Sequence, residues 1–192
     1  MSSMFSGCSS LKSINLTNFD ASSVTSMFKM FNGCRSLKSV NILNTNLSNV
    51  LLIEKIFYSC NSLIFINMSN LDISKVTSMN YIFDGCKFLK MINCSYIKAS
   101  SLISYNSIFS DCNSLESIYL SYFDVSSLTS LSNLFNGINS LKSINLSNFD
   151  ISSATSMANM FNGCYLLESV NLINFNISIV MNMSSMFMVV VH

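Results

Sequence analysis

A phenylalanine returns every 26 residues along this chain, at Phe5, Phe31, Phe57, Phe83, Phe109, Phe135, Phe161 and Phe187, with no insertion or deletion between them. Other rows keep the same step: Leu11 to Leu167, Ile14 to Val170, and Cys8, Cys34, Cys60, Cys86, Cys112, Ile138 and Cys164. A fixed period of this length is the mark of a stacked-repeat protein, in which each unit touches only its neighbours. Seven units and a ten-residue remainder account for the 192 residues. The chain therefore reads as a single solenoid over residues 1–192, with no length left for a second domain. Met1 shares the repeat position of Met27, and the last residues also stop in mid-unit. Solenoids carry atypical polar units at their ends. The sequence thus reads as a piece of a longer protein, with end-to-end association expected of the piece alone.

The unit 11–36, LKSINLTNFDASSVTSMFKMFNGCRS, shows how such a step is built. Ile14 and Leu16 alternate with Ser13, Asn15 and Thr17, the period of two of a strand with one buried face. NFDASS follows, rich in residues whose side chains bond nearby backbone amides, and Phe19 is expected to plug the interior there. VTSM reads as a second short extended piece. Met27, Met30, Phe31 and Cys34 then stand at i, i+3, i+4 and i+7, the apolar stripe of a helix. Thr25 or Ser26 would cap its start. All five glycines share the row of Gly33, where a left-handed residue ends a helix, with Ser59 and Asp111 as the exceptions. The expected fold is a leucine-rich-repeat-like solenoid of parallel strands, with one strand and one short helix per 26-residue unit.

Composition excludes several function classes. The chain is 50% hydrophobic but only 10% charged, with a net charge of +1. That balance gives no electrostatic footprint for nucleic acid or an anionic membrane. No apolar run approaches the roughly 20 residues of a membrane span. MSSMFSGC lacks the charged and apolar regions of a signal peptide.

The reactive residues read as structural. Six of the seven cysteines share one row, without the close pairs of a metal site. Side chains in one row point the same way, which opposes disulfides, and Ile138 shows that the slot accepts a plain hydrophobe. The single histidine is His192, and the acids are sparse. Asp20, Asp72, Asp124 and Asp150 form a row interrupted by Asn46, Lys98 and Asn176, as turn-capping residues would. Neither a nucleophile–base pair nor paired carboxylates can be assembled, so no catalytic residue, cofactor site or metal site is assigned. Sequons at Asn15, Asn46, Asn67, Asn93, Asn145, Asn176 and Asn182 read as by-products of the repeated NLS.

The string MFNGCRSLKSVN, taken with LKSINLSNFDISSATSM, resembles the BspA-type leucine-rich repeat, and within it the mycoplasma-lipoprotein-type variant. The resemblance covers the whole chain. It implies a surface protein of a host-associated microbe that binds host or other cell-surface proteins without catalysis. Two departures stand out. No lipobox or anchor is present, and residues 50–53 and 94–107 lose the usual F-D and V-T-S-M residues while keeping the spacing.

The outward strand rows are mostly Ser and Asn, and the exceptions cluster in the middle units. Phe65 and Met91 replace Ser in the first row, and Tyr119 replaces Asn in the second. Tyr96 and Tyr122 replace Asn in the turn row that contains Asn18, Asn44 and Asn70. Clustered exposed apolar groups mark interaction sites, and tyrosine is enriched at binding hot spots. Phe65, Met91, Tyr96, Tyr119 and Tyr122 are therefore the candidate protein-binding residues. The sequence reading is a surface-displayed or secreted, non-catalytic leucine-rich-repeat module for protein binding or adhesion, with host matrix or other cell-surface proteins as partners. A purely structural spacer and an intracellular scaffold remain the alternatives.

Overall fold

A computed structural model describes residues 1–43 and 45–188; Asn44 and His192 lie outside the described residues. Seven three-residue strands form one parallel sheet in chain order: β1 (Ser13–Asn15), β2 (Ser39–Asn41), β3 (Phe65–Asn67), β4 (Met91–Asn93), β5 (Ser117–Tyr119), β6 (Ser143–Asn145) and β7 (Ser169–Asn171). The register equals the sequence period, with Ile66 opposite Ile92 and Ile92 opposite Ile118. The middle residue of each strand faces inward; Ile66 and Ile118 are at most 1% exposed. The flanking residues face out, as the period of two requires. VTSM supplies a second, thinner ladder of single bridges, such as Ser26 to Leu52 and Ser130 to Ser156.

The expected helix is absent: no described residue is helical. Its apolar stripe is nevertheless buried, with Met27 2% exposed and Met30, Phe31 and Cys34 fully covered. The backbone solves the problem with turns. Met30, Asn32 and Cys34 donate to the carbonyls of Met27, Lys29 and Phe31, three residues back, each at 3.1 Å. The alternate amides of Met27, Lys29, Phe31 and Gly33 leave the unit and donate to Leu52, Glu54, Ile56 and Tyr58 of the next at 2.8–3.1 Å. A helix would need those donors for itself. Stacking offers each of them a carbonyl at sheet spacing, and left-handed residues at Lys29 (φ 56°) and Gly33 (φ 72°) break the helical path twice. Gly33 is left-handed as expected, but as a turn residue rather than a helix cap. Ser59 and Asp111, in the same row, adopt the same region at φ 57° and 55°. Ser26 accepts the Phe28 amide at 3.3 Å, two residues on, so its cap belongs to a turn as well.

Inside, identical side chains stack along the axis. The periodic phenylalanines lie ring on ring from Phe5 to Phe187, with centroids 5.2–6.1 Å apart. The cysteines form a hydrogen-bonded row: the thiols of Cys34, Cys60, Cys86, Cys112 and Cys164 donate to the phenylalanine carbonyl of the preceding unit at 2.9–3.2 Å. All seven cysteines are free. Phe19 does not plug the interior and is 41% exposed. Its row neighbour is the small Thr45, whereas Phe123, Phe149 and Phe175 pack on one another at 6.0–6.4 Å.

One seam interrupts the order. Tyr105 occupies the row of Met27 and Met79, and its hydroxyl donates to the carbonyls of Ser130 and Ser132 at 2.9 and 3.1 Å. Among the described residues, the amides of Tyr105, Ser107, Phe109 and Asp111 make none of the cross-unit bonds that their counterparts make elsewhere. The turn layer parts there into a groove of about 300 Å³. Phe109 is only half-buried, and the ring planes of Phe109 and Phe135 open to 22°. The strand ladder on the other side stays intact, with Ile92 opposite Ile118.

Candidate functional site on the strand face

The outward face of the sheet is held by asparagine turns. The Oδ1 atoms of Asn15, Asn41, Asn67, Asn93, Asn145 and Asn171 each accept the amide two residues ahead at 3.0–3.2 Å. The aspartate row does the same one turn later, as Asp72 accepts the Ser74 amide at 3.1 Å. The Ser74 hydroxyl and then its amide hold the Asp72 carboxyl below its ordinary value. Asn46 and Asn176 make the same turn bond without a charge. Both rows are thus occupied in maintaining the coil.

The five candidate residues depart from this pattern and are all exposed. Phe65 and Met91 are direct cross-strand partners of β3 and β4. Tyr119 pairs with Asn93 rather than with Met91, so it lies one strand along and two residues further on. Tyr96 and Tyr122 stack on one another at 4.9 Å with a 10° interplanar angle. The five residues therefore run diagonally across β3–β5 and into the following turns.

Several of these residues act against local stability. Tyr119 cannot make the asparagine turn that six of its row mates make, a bond worth about 1 kcal/mol. Tyr96 and Tyr122 hold left-handed backbone at φ 59° and 55°, where Asn18, Asn70, Asn148 and Asn174 stand in other units. Bulky residues are disfavoured there, whereas asparagine is enriched. Locally unfavourable choices gathered on one surface are characteristic of functional sites.

Two further exposed apolar residues near β3 and β4 were missed by the sequence reading. Ile64, the residue before β3, is 45% exposed, and Phe88, three residues before β4, is 61% exposed. The signal was available: Ile64 breaks a row of lysine and glutamate, and Phe88 a row otherwise mostly serine. Comparing the rows just before the strand would have found both.

The core thiols are buried among apolar side chains. Burial pushes the thiols of Cys60, Cys94 and Cys112 up to about 12 and that of Cys164 to about 11. Among the described residues, no three His, Cys, Asp or Glu side chains come together as metal ligands. No helix there is long and apolar enough to cross a membrane.

A parallel β-solenoid with 26-residue turns and an irregular aromatic stripe defines a repeat protein of the leucine-rich kind. The chain belongs to the family described as Mycoplasma protein of unknown function, DUF285, which matches residues 1–95 and 103–191. This agrees with the mycoplasma-type repeat read from the residues, and the break in the match falls within the degenerate stretch 94–107. No curated protein matches the chain. Among solved structures, a leucine-rich cell surface protein from Faecalibacterium prausnitzii is similar at 18% identity, covering 88% of this chain with a TM-score of 0.34. The chain spans 62% of the length of that protein. A leucine-rich repeat protein from Bacteroides ovatus is similar at 15% identity, covering 96% of this chain and 77% of its own, with a TM-score of 0.27.

Proposed function

We propose that this chain is a non-catalytic protein-binding module, displayed at a cell surface, that engages host matrix or other cell-surface proteins through the strand face of β3–β5. One observation carries the reading. The exposed residues Phe65, Met91, Tyr96, Tyr119 and Tyr122 replace the Ser and Asn that the other units keep on this face, and at Tyr119 the replacement gives up the turn bond of its row. A spacer that supplies only length has no use for such irregularity, because an evenly polar face would serve it better. Surface display rests on the resemblance of the repeat to BspA-type surface proteins.

Two measurements test the proposal. Mild external protease on intact source cells should release repeat peptides detectable by mass spectrometry. Peptides seen only after lysis would support the intracellular scaffold instead. In an array of matrix and cell-surface proteins, the triple variant Phe65→Ser, Met91→Ser and Tyr119→Asn should lose the partner bound by the unaltered chain while keeping its fold. Unchanged binding by that variant would remove the patch from consideration.

A further inference from the structure

The charges around the patch are arranged asymmetrically. Although the net charge is +1, five of the ten cations, Lys12, Arg35, Lys38, Lys87 and Lys90, line the entrance edge of β1–β4. All five are exposed. Continuous backbone bonds fix the edge row: Lys38 donates to Lys12 at 2.8 Å, Ile64 to Lys38 at 3.4 Å and Lys90 to Ile64 at 2.8 Å. Units thus stand at sheet spacing, about 4.8 Å apart. None of the nine carboxylates shares these two rows before Glu116. The basic run ends there, where Glu116 pairs with Lys142 at 2.9 Å. Exposed and, among the described residues, in no ion pair, the earlier cations sum to a local positive field that the net charge conceals, offset at its far end where Glu116 neighbours Lys90. Ile64, Phe65, Phe88 and Met91 lie in its midst.

We infer that the entrance edge of β1–β4 takes an acidic protein segment bearing aromatic or aliphatic side chains. This inference rests on the protein-binding reading above and names its partner's chemistry. Carboxylates on the segment would face Lys38 and Lys90, while an apolar side chain covers Ile64, Phe65 and Met91. Charge complementarity of this kind steers association and selects partners. The four apolar groups favour a polypeptide over a polyphosphate or sulfated polyanion, which would leave them uncovered.

The test uses three fluorescent peptides of about twelve residues with the same central Phe-Leu pair, flanked by Asp and Glu, by Ser, or by Lys. Anisotropy at low salt should show the acidic peptide binding at least about tenfold more tightly than the other two. Its affinity should fall as added salt screens the edge. Lys38→Glu with Lys90→Glu, both exposed and without side-chain hydrogen bonds among the described residues, should abolish the preference while leaving the circular dichroism unchanged. Equal binding of acidic and neutral peptides, both lost in the Phe65→Ser, Met91→Ser and Tyr119→Asn variant, would overturn this inference yet leave the patch standing. Displacement by heparin or duplex DNA, with binding indifferent to that triple variant, would overturn it in favour of a polyanion site. Failure of the unaltered chain to bind any of the three would also overturn it.

Discussion

The Tyr105 hydroxyl donates to the Ser130 carbonyl across the unit boundary at 2.9 Å, taking an acceptor that elsewhere serves a backbone amide of the preceding unit. At the equivalent boundary one unit earlier, the Met79 amide donates to the Ser104 carbonyl at 2.9 Å. A side chain has thus replaced main chain in the ladder, and Ser107 and Phe109 line the groove that opens there. The degenerate stretch 94–107 is where the stack is weakest on its turn side.

Amide hydrogen exchange should reveal this directly. The amides of Tyr105, Ser107, Phe109 and Asp111 should exchange faster than those of Tyr81, Phe83 and Gly85 in the same rows, because exchange tracks local opening. Tyr105→Met, the residue of rows 27 and 79, should slow them by restoring the ladder. Tyr105→Phe should instead destabilise the chain by about 1 kcal/mol, by removing the one hydroxyl proton that the Ser130 and Ser132 carbonyls share. Uniform protection across all units in the unaltered chain would contradict the seam.

Cys94 stands in a row of leucine, isoleucine and methionine, and its small side chain borders an apolar cavity of about 40 Å³ shared with Leu102, Tyr105 and Leu120. Cys94→Leu should fill that space. Cavity filling commonly adds about 0.5–2 kcal/mol, equivalent to a few degrees in the thermal midpoint of a chain this size. A fall in the midpoint would show that the cavity cannot accept the larger branch without strain.

Alkylation should separate the cysteines. Cys8 is exposed, while the other six are buried in the core. Thiolate is the reactive form, and burial holds Cys60, Cys94 and Cys112 near 12. Iodoacetamide at pH 8 should label Cys8 alone in the folded chain and all seven in denaturant. Rapid labelling of Cys60 or Cys112 without denaturant would refute the thiol–carbonyl row.

Asp72 offers a test of the turn rows with a defined sign. Hydrogen bonds from Ser74 lower its folded pKa, so its contribution is present above the unfolded value of about 3.9 and is lost as pH falls through the folded value. Asp72→Asn reproduces the turn already made by Asn46 and Asn176. At pH 7 it should therefore change stability by less than about 0.5 kcal/mol, whereas Asp72→Ala should cost about 1 kcal/mol. The Asn variant should also lose less stability than the parent between pH 5 and pH 2, read by urea unfolding. Equal acid sensitivity would place the carboxylate's role elsewhere.

Much of this molecule could be read from one dimension because its period fixes the register. When Phe31 and Phe57 are 26 residues apart with no insertions, stacking must align them, and every inward row follows from that. The strand positions, the buried phenylalanine and cysteine rows and the left-handed glycine row were all legible for this reason. So was the exposure of Phe65, Met91, Tyr96, Tyr119 and Tyr122, since a residue inherits the orientation of its row. What could not be read was where each backbone donor goes. A buried stripe at i, i+3, i+4 and i+7 suits a helix and a pair of stacked turns equally well. The choice depends on carbonyls 25 residues away, which offer Phe31 and Gly33 a partner that a lone helix lacks. The Tyr105 seam and the Tyr96–Tyr122 stack have the same origin. Both arise from neighbours in the stack that are distant in the chain, and only the tertiary structure brings them together.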